Sequence, residues 1–222
     1  AGADEELMEK FFETMELSAE EIAKGLKLGV RDGSVAPVLC GSAISGLGVD
    51  MLMQTVPNFE RIGDYATNMV ELAQRLQSEN AAFSDMAKKE LALITQAVNE
   101  ILEITVDAFS KDDNEAAKAI EPLEETIDDM IMMLKDRHTK RLKNGQCSIA
   151  SGLVFMEALT YFERASDQCS SIAVMMLARH NEQILQNHYE YLREIHAGND
   201  VAYLAEKDRR REQYIKPLKQ IF

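Results

Sequence analysis

The sequence predicts an all-α antiparallel helical bundle over residues 57–222, preceded by a small α/β-derived appendage at residues 1–56. From Phe59 onward, apolar residues recur at spacings of three and four, the period of a helix that buries one face. Eight of the eleven glycines lie at or before Gly63, so turns concentrate in the amino-terminal part. These observations predict two domains with a boundary near residue 56.

The first 56 residues alternate between helical and extended patterns. Residues 4–15 predict a short acidic helix, and Ser18 followed by Glu21 predicts a capping-box start for a second helix. Residues 34–40 read SVAPVLC, which is typical of a short buried strand. A single strand cannot form a sheet, so this part resembles a piece of an α/β layer.

The remaining chain predicts a series of helices joined by short loops. The first runs from Val49 to Leu76, with Pro57 near a bend. Its predicted buried stripe consists of Phe59, Ile62, Ala66, Met69, Ala73 and Leu76. The later helices are predicted from Leu91 to a break at residues 111–114, from Ile120 to a stop at Asn144-Gly145, from Ser148 past Leu177, at 182–196 and at 201–214. The run Arg209-Arg210-Arg211 is interpreted as a solvated face with ion pairs.

Composition excludes several classes of protein. The formal net charge of −14 disfavours nucleic-acid binding, which needs clustered Lys and Arg. No apolar run approaches the roughly 18 residues of a membrane helix, and the acidic start does not resemble a signal peptide. Three widely spaced cysteines predict reduced thiols, and the four histidines form no zinc pattern. Because catalytic motifs are also absent from the sequence, we expect a cytoplasmic protein that is not an enzyme.

An internal repeat lies within the helical part. Asn58 to Val70 (NFERIGDYATNMV) aligns with Tyr161 to Ala173 (YFERASDQCSSIA) and keeps its Phe, Glu, Arg and Asp. In both repeats, Glu and Asp stand four residues apart, so their carboxylates project from one helix face. A third helix carries the same spacing and is the predicted facing partner. The pairs are Glu60 with Asp64, Glu163 with Asp167, and Glu124 with Asp128.

Two readings of these carboxylates remain open. Oxygen-only ligands suit a hard divalent or trivalent ion, namely Mg²⁺, Mn²⁺, Ca²⁺ or oxidised iron. In a chain this acidic, the same spacing also marks an ordinary solvated face, as at Glu9 with Glu13. The identical FER..D context in both repeats favours the metal.

The helices around these pairs resemble the PhoU family of phosphate-uptake regulators, which are built as two three-helix bundles. The resemblance rests on NFERIGDYATNM, on DRHTKRLKNGQCSIASGLVFMEALTYFERASDQCSSIAVM and on the tail HYEYLREIHAGND, and covers roughly residues 51–222. The last two segments are similar to the cytoplasmic PhoU-like domain of bacterial sodium/phosphate cotransporters. This likeness implies that the six carboxylates bind multinuclear metal clusters, although Ala165-Ser166 replaces the usual Ile-Gly or Ile-Ala.

The amino-terminal part resembles a different family. Residues 4–56 are similar to the end of the GTPase domain of elongation factor G, in which Ser42 and Ala43 match the last guanine-contacting motif. The phosphate-binding loop G-x-x-x-x-G-K-[ST] occurs nowhere in the chain, so we expect no GTP binding. The two resemblances together predict a hybrid that lacks the first two helices of the first PhoU bundle.

The sequence therefore predicts a metal-binding regulatory module of phosphate uptake that contacts a transporter or sensor and does not catalyse a reaction. The alternative is a fragment of a translation-factor GTPase without its own nucleotide site. The predicted stripe on the first bundle helix needs cover, either from the amino-terminal helices or from a second copy in a homodimer.

Overall fold

The computed structural model describes residues 49–179, 181, 184, 187–197 and 200–221, together with Lys10, Ser18, Glu21 and Lys24. The chain divides into two compact units, residues 1–50 and 51–222.

The first unit confirms the capping box. The Glu21 N–H donates to Ser18 Oγ at 3.2 Å, and the Ser18 N–H donates to Glu21 Oε2 at 2.9 Å. The predicted strand at residues 34–40 and the loop with Ser42 and Ala43 lie outside the described residues. The predicted α/β-derived appendage and its likeness to elongation factor G therefore lie there too.

The described residues from Val49 onward form helices and contain no strand, which confirms the all-α class for that part. These helices are α1 (Val49–Ser78), α2 (Asp85–Lys111), α3 (Asn114–Lys118), α4 (Ile120–Lys143), α5 (Ile149–Ala178), α6 (His188–His196) and α7 (Val201–Gln220). None of the described helices is long and apolar enough to cross a membrane.

Local capping explains where the bundle helices begin and end. Ser148 Oγ accepts the N–H of Ser151 and starts α5, as the sequence predicts. Gly145 has φ +67°, so α4 ends at the predicted left-handed stop. The short helix α3 was not predicted. It forms between the expected break and the predicted helix start at Ile120, because Asp113 Oδ1 accepts two backbone N–H groups and starts a new turn.

The core is a three-helix bundle in which α4 runs antiparallel to both α2 and α5. Its largest fully buried side chains are Phe155, Ile94, Ile101, Ile120, Leu123, Ile127, Met130, Ile131, Leu134, Leu159, Ile172 and Met176. Burying each of these stabilises the fold by about 1.5–3 kcal/mol. Helix α7 packs on α4 and α2 and extends beyond the predicted residue 214. The bundle therefore fixes the facing surfaces of α4 and α5.

Helix α1 lies antiparallel to α5, and four residues of the predicted stripe pack against buried clusters, namely Phe59, Ile62, Met69 and Leu76. Tyr65 stacks on Tyr161 at 6.1 Å between ring centroids, and Leu72 is buried against α5. The predicted core residues Ala66 and Ala73 are exposed. The buried face continues from Ile62 through Tyr65, Met69, Leu72 and Leu76, because tertiary packing selects the side that meets α5. The bundle's own helices thus pack against part of the predicted stripe, and the homodimer stays a prediction.

The predicted ion pairs of the arginine run form, but the predicted solvated face is wrong at its central residue. The Arg210 side chain is only 3% exposed and pairs with Glu206 at 2.7 Å and with Glu100 on α2. Tyr214 also donates to Glu100. Because α7 packs against α2 here, the middle guanidinium of the run faces inward and anchors α7.

Candidate metal centre

Three carboxylates converge where helices α4 and α5 face each other, and we call this group the acidic triad. Glu124 and Asp128 project from α4, and Asp167 projects from α5. One oxygen of each lies within 4.8 Å of the other two. The i, i+4 spacing on α4 presents both side chains to α5, as the sequence predicts. The two pairs on α4 and α5 therefore face each other, and three of their four carboxylates meet.

The Glu124 carboxyl lies deepest in the triad, since the residue is only 9% exposed. Burial is the largest cause that raises its pKa, and the negative charges of Glu121, Asp128 and Asp167 raise it further, to about 9. A hydrogen bond with Asp167 also favours the protonated form. At neutral pH, Glu124 therefore carries a proton and shares it with Asp167.

Asp128 and Asp167 experience the same repulsion. Burial, followed by the charges of Asp167 and Glu163, raises the pKa of Asp128 to about 6. Burial and Glu163 also raise the pKa of Asp167, although the hydrogen bond with Glu124 opposes this change. Asp128 Oδ1 is buried and has no hydrogen-bond partner. The triad thus holds more negative charge than the surrounding protein neutralises.

The predicted ligand Glu163 lies beside the triad but is held by a lysine. Lys135 Nζ on α4 is 2.6 Å from Glu163 Oε2, and both side chains are about one-third exposed. Lys135 was not predicted from the sequence as part of the site. Its position seven residues after Asp128 places it on the same face of α4, a signal that could have identified it.

The other predicted pair, Glu60 and Asp64, lies exposed on α1. Among the described residues, the acidic triad is the group whose carboxylate oxygens converge closely enough to hold a metal ion, and it does not include this pair. Of the two repeats, the one on α5 therefore contributes one carboxylate, Asp167, to the triad, and the one on α1 contributes none. Metal binding by Glu60 and Asp64 stays a prediction.

A polar shell that was not predicted borders the triad on the α4 side. Glu121 accepts a hydrogen bond from Ser170 on α5, and Glu125 accepts one from Tyr203 at 2.6 Å and one from Lys207. His196, the last residue of α6, lies next to both glutamates. These contacts join residues that lie 49 to 82 positions apart in the sequence, so local patterns gave no signal for them.

The donor set of the triad fits a hard cation. Its ligands are carboxylate oxygens, the preference of Mg²⁺, Ca²⁺, Mn²⁺ and oxidised iron, and no thiol or imidazole belongs to it. The unpartnered Asp128 Oδ1 is an oxygen that the protein leaves available. A cation would offset the repulsion that raises the pKa values of all three groups.

A comparison with known protein families gives a match over the helices that carry this site. Residues 91–176 match the family model described as PhoU domain. This region includes the bundle helices α4 and most of α2 and α5, and therefore the whole acidic triad. No solved structure matches the chain. A PhoU domain suggests a regulatory role in phosphate homeostasis and interaction with phosphate transport proteins.

Proposed function

We propose that the chain is a metal-binding regulatory module of phosphate uptake, which acts by contact with a transport or sensor protein and not by catalysis. The convergence of Glu124, Asp128 and Asp167 within 4.8 Å carries the metal-binding part of this proposal. The PhoU-domain match over residues 91–176 supports the regulatory part.

Three residues would hold the cation. Asp128 would supply its unpartnered Oδ1, Asp167 would supply a second carboxylate oxygen, and Glu124 would join them on losing its proton. The bound ion would supply positive charge that draws α4 and α5 together. Glu163 could join the set only on leaving Lys135, so we place it at the edge of the site.

The partner would be a transport protein at the cytoplasmic face of a membrane. The sequence similarity to the cytoplasmic domain of sodium/phosphate cotransporters supports this partner, and so does the PhoU-domain match. A regulator of this kind changes uptake by binding its transporter differently in two states. Cation occupancy of the triad would stabilise one of these states.

Metal binding at the triad can be tested by substitution, and the internal repeat provides a matched control. Asp128→Asn with Asp167→Asn removes two triad carboxylates without adding volume. Glu60→Gln with Asp64→Asn makes the equivalent change on α1, where the carboxylates are exposed and separate from the triad. Metal per chain is measured in protein purified without chelator, and helix content is measured by circular dichroism.

We expect the first double variant to lose its metal and the control to keep it, with the helix content of both unchanged. Equal metal in the triad variant and in the parent would contradict the proposed site. Loss of metal only in the control would move the site to α1. For the regulatory part, cells carrying the triad variant should show altered phosphate uptake compared with cells carrying the control, and unchanged uptake would contradict that part.

A further inference from the structure

Charge is distributed unevenly along the chain. Residues 137–156 contain no Asp or Glu, although the whole sequence has 38 acidic residues and a formal net charge of −14. This stretch comprises the end of α4, the turn to α5 and the start of α5. Lys140 and Lys143, in the last turn of α4, are both exposed. We call residues 139–153 the basic tip.

Two carboxylates lie close to the basic side chains at this end of α4. Glu90 on α2 is fully buried and lies 3.3 Å from Arg137 Nη1 and 2.7 Å from Arg141 Nη1. Asp136 Oδ2 lies 2.7 Å from Lys140 Nζ, and both of these side chains are largely exposed. The two carboxylates thus oppose three basic side chains, so this end of α4 keeps a net positive charge.

The basic tip also exposes three large apolar side chains. Ile149 is 77% exposed, Leu153 is 58% exposed and Leu142 is 39% exposed. Ile149 and Leu153 share one face of α5, since they lie four residues apart. Leu142 on α4 packs beside Gly152, because a Cβ at Gly152 would lie 3.2 Å from Leu142 Cδ2. The three side chains therefore form one apolar patch, whereas apolar residues that are exposed singly need no explanation.

The bundle leaves this patch uncovered because α1 ends before it. Glu157 and Tyr161 continue the same face of α5 and contact α1, where Glu157 pairs with Arg75 at 2.7 Å and Tyr161 stacks on Tyr65. Helix α1 ends at Ser78, about one turn beyond Arg75. The start of α5 therefore extends past α1 and presents its apolar face to solvent.

This combination of groups is complementary to an anionic lipid surface. Such a surface attracts Lys side chains to its headgroups and accepts apolar side chains at the boundary with the acyl chains. The turn at residues 144–148 carries no charge, so no ionised group loses its water as the patch enters this boundary. The acidic remainder of the chain is repelled only weakly, because salt screens charges that lie more than about 8 Å from the membrane.

We propose that the basic tip is a membrane-binding surface that attaches the end of α4 and the start of α5 to anionic lipid. The apolar patch enters the headgroup region, and Lys140 and Lys143 contact the anionic headgroups. The attachment is peripheral and reversible, since only three apolar side chains take part. It is independent of cation binding, because no residue of the acidic triad belongs to the basic tip.

Co-sedimentation of the full chain with lipid vesicles tests this surface. One set of vesicles contains phosphatidylcholine alone, and the other contains about one-third phosphatidylserine. The salt concentration is about 0.15 M, and chelator is present so that no divalent ion bridges acidic side chains to the lipid. We expect binding to the anionic vesicles to exceed binding to the neutral ones by roughly tenfold.

Two double variants separate the apolar and charged contributions. Ile149→Ser with Leu153→Ser removes most of the exposed apolar patch and should weaken binding by roughly tenfold or more. Lys140→Gln with Lys143→Gln should weaken it by roughly fivefold for each lysine removed. All four side chains are exposed, so circular dichroism and thermal melts should match those of the parent.

Matched controls change the same residue types away from the basic tip. Val70→Ser with Val106→Ser removes two apolar side chains that are 57% and 52% exposed, on α1 and α2. Lys111→Gln with Lys118→Gln removes two exposed lysines, and Lys111 pairs with Asp107 four residues away, just as Lys140 pairs with Asp136. Both controls should bind anionic vesicles as the parent does.

Failure of the parent chain to bind anionic vesicles, or equal binding to neutral ones, would overturn the proposal. Parent-level binding by both tip variants would also overturn it, because the contact would then lie elsewhere on the chain. Equal weakening in the controls would show a general surface effect and would exclude a specific tip. Self-association that only the apolar tip variant abolishes, in a chain that does not bind vesicles, would assign a second copy to the patch in place of lipid.

Discussion

Removing the proton of Glu124 should destabilise the metal-free protein. In the unfolded chain this carboxyl ionises at its ordinary pKa of 4.5, whereas the folded protein keeps the proton until about pH 9. Between these values the folded state binds more protons than the unfolded state. Its stability therefore falls as pH rises from about 4.5 to about 9.

The magnitude follows from linkage. One group that is protonated only in the folded state lowers the free energy of unfolding by up to about 1.4 kcal/mol per pH unit. From pH 7.0 to 8.5, the titration of Glu124 should thus lower the free energy of unfolding by about 1–2 kcal/mol. The smaller value reflects the proton that Glu124 shares with Asp167. Asp128 titrates near pH 6, and burial lowers the pKa of His138 below 6.5, so both have largely titrated before this window begins.

Urea unfolding, followed by circular dichroism with chelator present, measures this change at pH 7.0 and 8.5. Glu124→Gln keeps a donor for Asp167 and cannot ionise, so its free energy of unfolding should stay nearly constant. Glu103→Gln removes an exposed carboxyl from α2 and should retain the full decrease. A parent protein whose stability is constant across the window, or a Glu124→Gln variant that loses as much as the parent, would refute the reasoning.

Three further substitutions test other contacts. Gly152→Ala places a Cβ 3.1 Å from His138 Nε2 where α4 and α5 pack closely, and the gain in helix propensity offsets part of this crowding. Thermal melts should show a net loss of at most about 2 kcal/mol in the free energy of unfolding, and a gain in stability would contradict close packing at this position. Arg210→Met leaves its partner carboxyls without the buried guanidinium, so α7 amides should exchange faster; unchanged exchange would contradict its anchoring role. Lys135→Met releases Glu163 and leaves its charge uncompensated, so calorimetry should find Mn²⁺ bound roughly threefold to tenfold more tightly, and weaker binding would contradict competition by this lysine.

Much of the bundle could be predicted because its signals are local. The helical period and the caps at Ser148 and Gly145 placed the end of α4 and the start of α5 within about two residues. The predicted stripe on α1 was wrong only at Ala66 and Ala73, because packing on α5 buries Leu72 and leaves these two alanines exposed. Arg210 was misread because sequence alone does not show which residue of an arginine run faces a neighbouring helix.

The candidate site could be predicted in part, because the spacing of its carboxylates along each helix is also a local signal. Spacing put Glu124 and Asp128 on one face of α4 and predicted a facing pair on α5. Which of the facing carboxylates converge depends on how α4 and α5 are rotated and on Lys135, which engages Glu163. The His196 contacts depend on the path of the chain after α5, which local periodicity does not specify.

The most direct test of metal binding at the triad is calorimetric titration of the chelator-treated chain with Mn²⁺ at pH 7.5, repeated in two buffers that differ in ionisation enthalpy. The difference between the two heats gives the number of protons released per cation bound. We expect release of about one proton, because a cation in the triad replaces the proton of Glu124, and release near zero for Glu124→Gln. The absence of cation binding, or binding by the parent chain without proton release, would contradict a cation site at the triad.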